Sequence, residues 1–184
     1  MEINVKDLLK IDLKDEVIIF QTDTVYGIGC LLNSKLGVDK IYNIKKRDGV
    51  KPLAVLCANL EQVKSLVKDY DLGEKYGKKH WPGALTLIFD KLESVPDFVT
   101  SGFDTVGVRI PKDEIALQIL DHFGPMAVTS LNISTEPSVL KYSDAMTFSD
   151  EVDYVIGGDD LFNISSTVYD VKNKKTLRQG DIYL

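Results

Sequence analysis

Short apolar runs of strand length recur along this chain, interspersed with segments of helical periodicity, and that alternation most limits how it can fold. Val17–Phe20 reads VIIF, Leu85–Phe89 reads LTLIF, Val106–Ile110 reads VGVRI and Met126–Ser130 reads MAVTS. Runs this short and rich in β-branched residues suit strands. Leu36, Ile41 and Ile44, then Leu60, Val63, Leu66 and Val67, fall at helical spacing. So does the segment Glu114–Phe123, with Ile115, Leu117, Ile119 and Leu120 as core candidates. Such spacing lines apolar side chains along one helical face. Further helices are expected around Val5, Leu8 and Leu9, and from Leu72 to Lys79. Further strands are expected at Tyr26–Leu32, Pro52–Cys57, Tyr154–Ile156, Thr167–Val171 and Leu177–Ile182. Mixing of this kind predicts an α/β (α+β) layered fold built on a mixed sheet. No repeat, low-complexity tract or linker divides the 184 residues, which suit a single domain over 1–184.

Charge narrows the class of partner. Twenty-two Lys plus Arg against 28 Asp plus Glu give a net charge of −6. That balance argues against a surface built throughout for nucleic acid, while leaving room for a local basic cleft. The N-terminus carries no basic, apolar and small-residue leader, and no apolar run approaches a membrane span, so a cytoplasmic protein is expected. Cys30 and Cys57 lack metal-ligand spacing and lie in apolar context, as buried free thiols do. The only histidines are His80, before the turn-like Trp81-Pro82-Gly83, and His122, at the end of a helical segment. Chemistry without a histidine is therefore the expectation.

Polar groups interrupt several strands. In Phe20–Cys30, FQTDTVYGIGC, the hydroxyls of Thr22, Thr24 and Tyr26 recur at every second position. On a strand they would share one face. Arg109 shares a strand face with Gly107, either reaching into a cleft or lying on a solvated edge. Ser130 and Asn132 follow an apolar strand, as ligand donors or as ordinary turn residues. Lys45-Lys46-Arg47 closes a helical segment, as phosphate ligands or as a complement to the helix dipole. Together these residues have a chemical logic. Lys45, Arg47 and Arg178 would neutralise phosphates, Ser130 and Asn132 would donate to a phosphate or carbonyl oxygen, and Arg109 would pair with a carboxylate. The set suits a nucleotide and a small acid held together. No Walker-type glycine loop and no dinucleotide fingerprint accompanies it.

Ordered motifs carry a family likeness. TDTVYGIG, Lys45-x-Arg47 followed by Lys51-Pro52-Leu53, Pro82-Gly83-x-x-Thr86 and Gly107-Val108-Arg109-Ile110-Pro111 come first. Thr129-Ser130-x-Asn132, Ser166-Thr167-Val168 and Arg178-x-Gly180 follow. From about residue 20 to 182 the chain resembles the YrdC family of threonylcarbamoyl-AMP synthases, in the short form without an added C-terminal domain. The resemblance implies a twisted mixed sheet with flanking helices and a large concave cavity. It implies a nucleotidyltransferase that turns L-threonine, bicarbonate and ATP into threonylcarbamoyl-AMP and pyrophosphate. The product would serve threonylcarbamoyladenosine modification of tRNA through a transferase complex. By the same resemblance Lys45, Arg47, Ser130 and Asn132 form a catalytic tetrad, with Thr129 and Arg178 also at ATP. Thr22, Thr24, Tyr26, Arg109 and Ser166 fall to L-threonine.

Some positions depart from the family pattern. Gln21 stands where proline is common, Leu131 where alanine is, Thr135 where glycine often follows, and Ser165 where proline is usual. Leu56 occupies a place where some relatives carry a histidine, which weakens any imidazole-base mechanism. No protein-held metal is expected. Mg²⁺ would come with ATP, held by its phosphates and water with Asp23 or Asp48 assisting. The alternatives are a non-catalytic module of the same fold contacting RNA through Lys45, Lys46, Arg47 and Lys51, and a carbamoyl-transfer role as in larger hydrogenase-maturation proteins.

Overall fold

The computed structural model describes residues 1–46 and 51–184. Its centre is a mixed sheet whose strands are β1 (Glu2–Ile3), β2 (Ile18–Phe20), β3 (Gly27–Leu31), β4 (Ala54–Leu56) and β5 (Leu85–Asp90). The others are β6 (Thr105–Arg109), β7 (Met126–Ser130), β8 (Tyr154–Ile156), β9 (Thr167–Asp170) and β10 (Lys175–Arg178). They lie in the order β1-β8-β2-β3-β7-β4-β6-β5-β9-β10. Parallel pairs β1·β8, β8·β2, β4·β6 and β5·β9 alternate with antiparallel neighbours. The expected α/β layering on a mixed sheet is the observed fold.

Helices cover both faces, so the inner strands are apolar on both sides. All three residues of β2 are buried, Ile19 toward one core and Ile18 and Phe20 toward the other. On the first face α2 (Lys35–Ile44) sets Val38, Ile41 and Ile44 against Ile28, Val55, Leu87 and Val108 in the larger core. On the second face α1 (Val5–Leu8) and α6 (Glu114–Phe123) bring Leu8, Ala116, Ile119 and Leu120 onto Phe20, Leu56, Met126 and Val128. Each fully buried Leu or Ile of this kind contributes about 1.5–3 kcal/mol of transfer free energy. Side-chain caps fix where the helices start. Asn4, Ser34 and Asp113 each accept the backbone N–H three residues on, which satisfies a donor the helix leaves unpaired.

Several elements differ from the sequence expectation. Residues 21–26 are a loop, not the start of a strand, because β2 ends at Phe20 and β3 begins at Gly27. The last strand lies earlier than Leu177–Ile182, at Lys175–Arg178. Beyond it the chain folds back on itself, with Gly180 and Ile182 N–H groups donating to Thr167 Oγ1. Leu36 faces solvent, and the buried start of α2 is Gly37 and Val38. α4 (Asp71–His80) buries Gly73 and Gly77 while Leu72 is exposed. The short α3 (Leu60–Lys64) ends before Leu66 and Val67, which are nevertheless buried. β1, α5 (Asp97–Thr100) and α7 (Tyr142–Met146) have too little periodic pattern to be expected from sequence.

Candidate active site

The second face of the sheet is roofed by α1 and α6 over β2, β7 and β8. Toward β5, β6 and β9 that same face lines a cavity of about 270 Å³. Register explains the change. Leu56 pairs with Arg109, Ile88 with Gly107 and Thr86 with Val168, so these side chains share one side of the sheet. Small residues leave the room. Ala54 and Gly107 lie on the floor, and a Cβ at Gly107 would come within 3.2 Å of Thr86 Cγ2.

Arg109 closes one end. β6 is paired on both edges, with β4 and β5, so this arginine belongs to an inner strand and is 5% exposed. The solvated-edge reading is thereby excluded. Its Nε donates to Gly83 O at 2.9 Å, Nη1 to Thr24 Oγ1 at 2.9 Å and Nη2 to Asp23 Oδ1 at 2.6 Å. A guanidinium carries five N–H donors, so these three bonds leave two. Burial pulls the guanidinium below its ordinary pKa and Asp23 pushes it back, so it remains charged. A preformed cation with two donors to spare at the end of a polar cavity suits a carboxylate.

The hydroxyl loop is divided. Thr22 Oγ1 donates to Val25 O at 2.7 Å, so the 3.0 Å contact with Thr24 Oγ1 is a bond donated by Thr24. Thr22 also accepts from the Thr24 and Val25 N–H groups, a hydroxyl-closed turn that aims Thr24 at Arg109. Both threonines line the cavity. Tyr26 does not. Its ring is buried in the larger core, its hydroxyl donates to Asp159 O at 2.9 Å, and burial raises its pKa. The idea of three hydroxyls on one strand face fails because the chain turns before Tyr26.

Thr86, on β5, bonds Ser166 Oγ at 2.8 Å. The exposed Arg178 donates from Nε to Ser166 O at 2.9 Å and from Nη2 to Ser166 Oγ at 3.1 Å. Ser165, Ser166 and Arg178 all line the cavity. Thr86 was visible in its motif but was not assigned to the site, and the Gly83 carbonyl carried no side-chain signal at all.

At the end of β7, Thr129 and Ser130 line the cavity. Behind them Lys45, 2% exposed, donates from Nζ to Ser130 O at 2.5 Å, Asn132 Oδ1 at 2.6 Å and Asn132 O at 3.1 Å. Ser130 Oγ donates to Asn132 Oδ1 at 3.0 Å, and Asn132 Nδ2 donates to the Ile133 and Glu136 carbonyls. Lys45, Ser130 and Asn132 are thus brought together, though only Ser130 is among the lining residues. Lys45 is the C-cap residue of α2, yet its ammonium turns to the end of β7. Arg47 and Asp48 lie outside the described residues.

Among the described residues no three His, Cys, Asp or Glu stand close enough to hold a metal ion. Asp23 Oδ1 already accepts from Arg109 and from the Lys112 N–H. Cys30 and Cys57 are free and buried, and burial pushes each thiol up to about 12, so neither is a ready nucleophile. Neither histidine is among the described residues lining the cavity. A wider groove of about 760 Å³ lies elsewhere, and its charges are partly paired among themselves, as in Lys91–Asp97 and Lys172–Asp90.

The family described as Sua5_yciO_yrdC, telomere recombination, matches residues 11–180. The chain belongs to this family. It is 37% identical over 160 residues to the threonylcarbamoyl-AMP synthase of Pyrococcus abyssi, covering 85% of this chain and 47% of that protein. It thus spans about half of that relative. Against the threonylcarbamoyl-AMP synthase of an Enterobacter species it is 30% identical over 179 residues, covering 95% of this chain and 93% of the relative. The crystal structure of P. abyssi Sua5 complexed with L-threonine superposes with a TM-score of 0.92 at 32% identity, over 98% of this chain and 57% of that one.

Proposed function

We propose that this chain is an L-threonylcarbamoyladenylate synthase, making threonylcarbamoyl-AMP and pyrophosphate from L-threonine, bicarbonate and ATP. The observation that carries the reading is the Arg109 end of the cavity. There a buried guanidinium with two unspent donors stands beside the Thr24 hydroxyl, in a chain whose fold matches a relative complexed with L-threonine. Arg109 takes the amino acid's carboxylate, and Thr24, Thr22 and Ser166 receive its polar groups. Tyr26 acts one layer back, through the loop it holds.

In the reaction the amine of threonine adds to CO₂ derived from bicarbonate, losing a proton and giving an N-carboxylate. An oxygen of that carboxylate attacks the α-phosphorus of ATP, and the bond to the pyrophosphate oxygen breaks. An anion must approach a polyanion, so placement and charge stabilisation dominate over proton transfer. Lys45, Arg47 and Arg178 supply positive charge at the phosphates. Ser130, Asn132 and Thr129 orient the α-phosphate and the carbamate. Mg²⁺ would come with ATP, held by its phosphates and water, and would supply charge neutralisation there, while Asp23 gives its Oδ1 to Arg109 and Lys112.

The product is a reactive mixed anhydride of carbamate and phosphate, and its consumption requires a group-transfer partner. The tRNA-modifying threonylcarbamoyl transferase complex is that partner in this reading, in the cytoplasm. Among the described residues no helix is long and apolar enough to cross a membrane.

Pyrophosphate release from ATP and bicarbonate, measured with L-threonine, L-serine, L-valine or no amino acid, tests the proposal. Release dependent on L-threonine is expected. Folded, ATP-binding protein with no such release, together with RNA binding that weakens steeply with salt, would replace it with the RNA-binding reading.

A further inference from the structure

Gln21 is a buried amide with both ends spent. It is 9% exposed, its Nε2 donates to Asp113 Oδ2 at 2.6 Å, and its Oε1 accepts the Asp159 N–H at 2.7 Å. Asp113 is the N-cap of α6, and Asp159 is the third residue of the loop between β8 and β9. The same loop residue is held on its other side, since Tyr26 donates to Asp159 O. A third tie lies further on, where Asn163 Nδ2 donates to Asp23 O at 2.8 Å. The loop passes so close that a Cβ at Gly158 would stand 2.4 Å from Gln21 Oε1 and 2.6 Å from the Tyr26 hydroxyl.

The segment 21–26 therefore has two sets of residues. Thr22 and Thr24 line the cavity. Gln21, Asp23 and Tyr26 grip the loop of residues 157–164, whose next two residues, Ser165 and Ser166, form the opposite wall. Phe162 and Ile164 are exposed, and Leu161 is the loop's apolar contact with the core, its N–H donating to Leu140 O at 2.7 Å. On the cavity side, three hydrogen bonds to the 21–26 segment hold it, beside the bonds of Leu161 N–H to Leu140 O and of Tyr142 N–H to Asp160 Oδ1.

We propose that Gln21 is a positioning residue, clipping the β8–β9 loop to the N-terminus of α6 and thereby fixing the Ser165–Ser166 wall against Thr24 and Arg109. The proposal rests on the synthase reading for its link to L-threonine, while the clip itself is a property of the fold. Gln21→Met keeps the length of the side chain and removes both bonds, and Asn163→Ala removes the third tie from an exposed position.

Hydrogen exchange of residues 158–164 and steady-state kinetics are measured on the native chain and both variants. Gln21→Met is expected to speed exchange in this loop about tenfold and to raise KM for L-threonine about tenfold, the factor for a lost buried bond. The change in kcat and in KM for ATP is expected to be smaller. Asn163→Ala should move both readouts in the same direction and by less. Folded variants with native exchange overturn the clip. Faster exchange with an unchanged KM for L-threonine overturns the positioning role. If the native chain shows no threonine-dependent turnover, the synthase reading falls on its own, and the exchange measurement still decides the clip.

Discussion

Arg109 at one end of the cavity and Lys45 behind its β7 wall are held differently. At the end proposed for the amino acid, Arg109 is fixed in an inner strand by Gly83, Thr24 and Asp23, and two of its donors remain for a ligand. In the cluster proposed for the nucleotide, Lys45 is turned onto the Ser130 and Asn132 carbonyls and the Asn132 amide oxygen, with Ser130 bonded to the same amide. The first arrangement is complete before substrate arrives. The second binds its own residues to one another, and a polyphosphate has to compete with those bonds. A small carboxylate supplies little binding energy and gains from a rigid site. A triphosphate brings enough charge to reorganise the groups around it.

This contrast predicts the largest effect at Arg109. Arg109→Ala strands the Asp23 carboxylate without its ion partner in a largely buried position, which costs about 3–5 kcal/mol of stability. Urea denaturation should show that loss, and threonine-dependent pyrophosphate release should vanish. A stable, active Arg109→Ala would break the comparison at its strong end.

Lys45→Ala should act on turnover more than on folding. Removing a charge that stabilises the transition state lowers kcat by about 10²–10³-fold, while the lost hydrogen bonds cost about 1–3 kcal/mol. KM for L-threonine should change less than kcat, because the Lys45 bonds run to Ser130 and Asn132 and those of Arg109 to Gly83, Thr24 and Asp23. A kcat within a few-fold of native in the folded variant would remove Lys45 from the chemistry. Ser130→Ala is milder, since the hydroxyl is one neutral donor to Asn132 Oδ1. A fall in kcat of about tenfold, with stability changed by about 1 kcal/mol, is expected in the same assays.

The smallest effect concerns pH. Burial raises the pKa of Asp113, against the bonds from the Ala116 N–H and Gln21 that lower it. The folded protein therefore holds this proton more tightly than the unfolded chain does. The resulting stabilisation is fully present below the unfolded carboxylate value and is lost as pH rises through the raised folded value. Asp113→Asn should remove that falling slope from thermal melts taken across the acid range, while Asn still caps α6. An unchanged slope would show that Asp113 is not the group responsible.

Much of the site was readable before the fold. The Arg109–Gly107 alternation placed an arginine among strand residues of one face, and the Ser130–Asn132 spacing placed two polar groups at a strand end. Those patterns are local and survive folding. The readings that failed were those in which one assumption about local structure was extended too far. Thr22, Thr24 and Tyr26 look like one face only if residues 21–26 are a strand. A hydroxyl accepting two backbone N–H groups turns the chain there instead. Nor does any local pattern show that Asp23 gives its Oδ1 to Arg109, from 86 residues away.

The sequence by itself determined the interspersed strands and helices and the residue types available to a nucleotide and a small acid. These follow from periodicity and from chemical character, which need only neighbours along the chain. The tertiary structure decided which groups are spent and which remain for a ligand. Arg109 has two donors left because Gly83, Asp23 and Thr24 take the others, and Tyr26 leaves the cavity because Asp159 takes its hydroxyl. Hydrogen-bond partners distant in sequence are fixed by strand order and loop path. No local pattern encodes them.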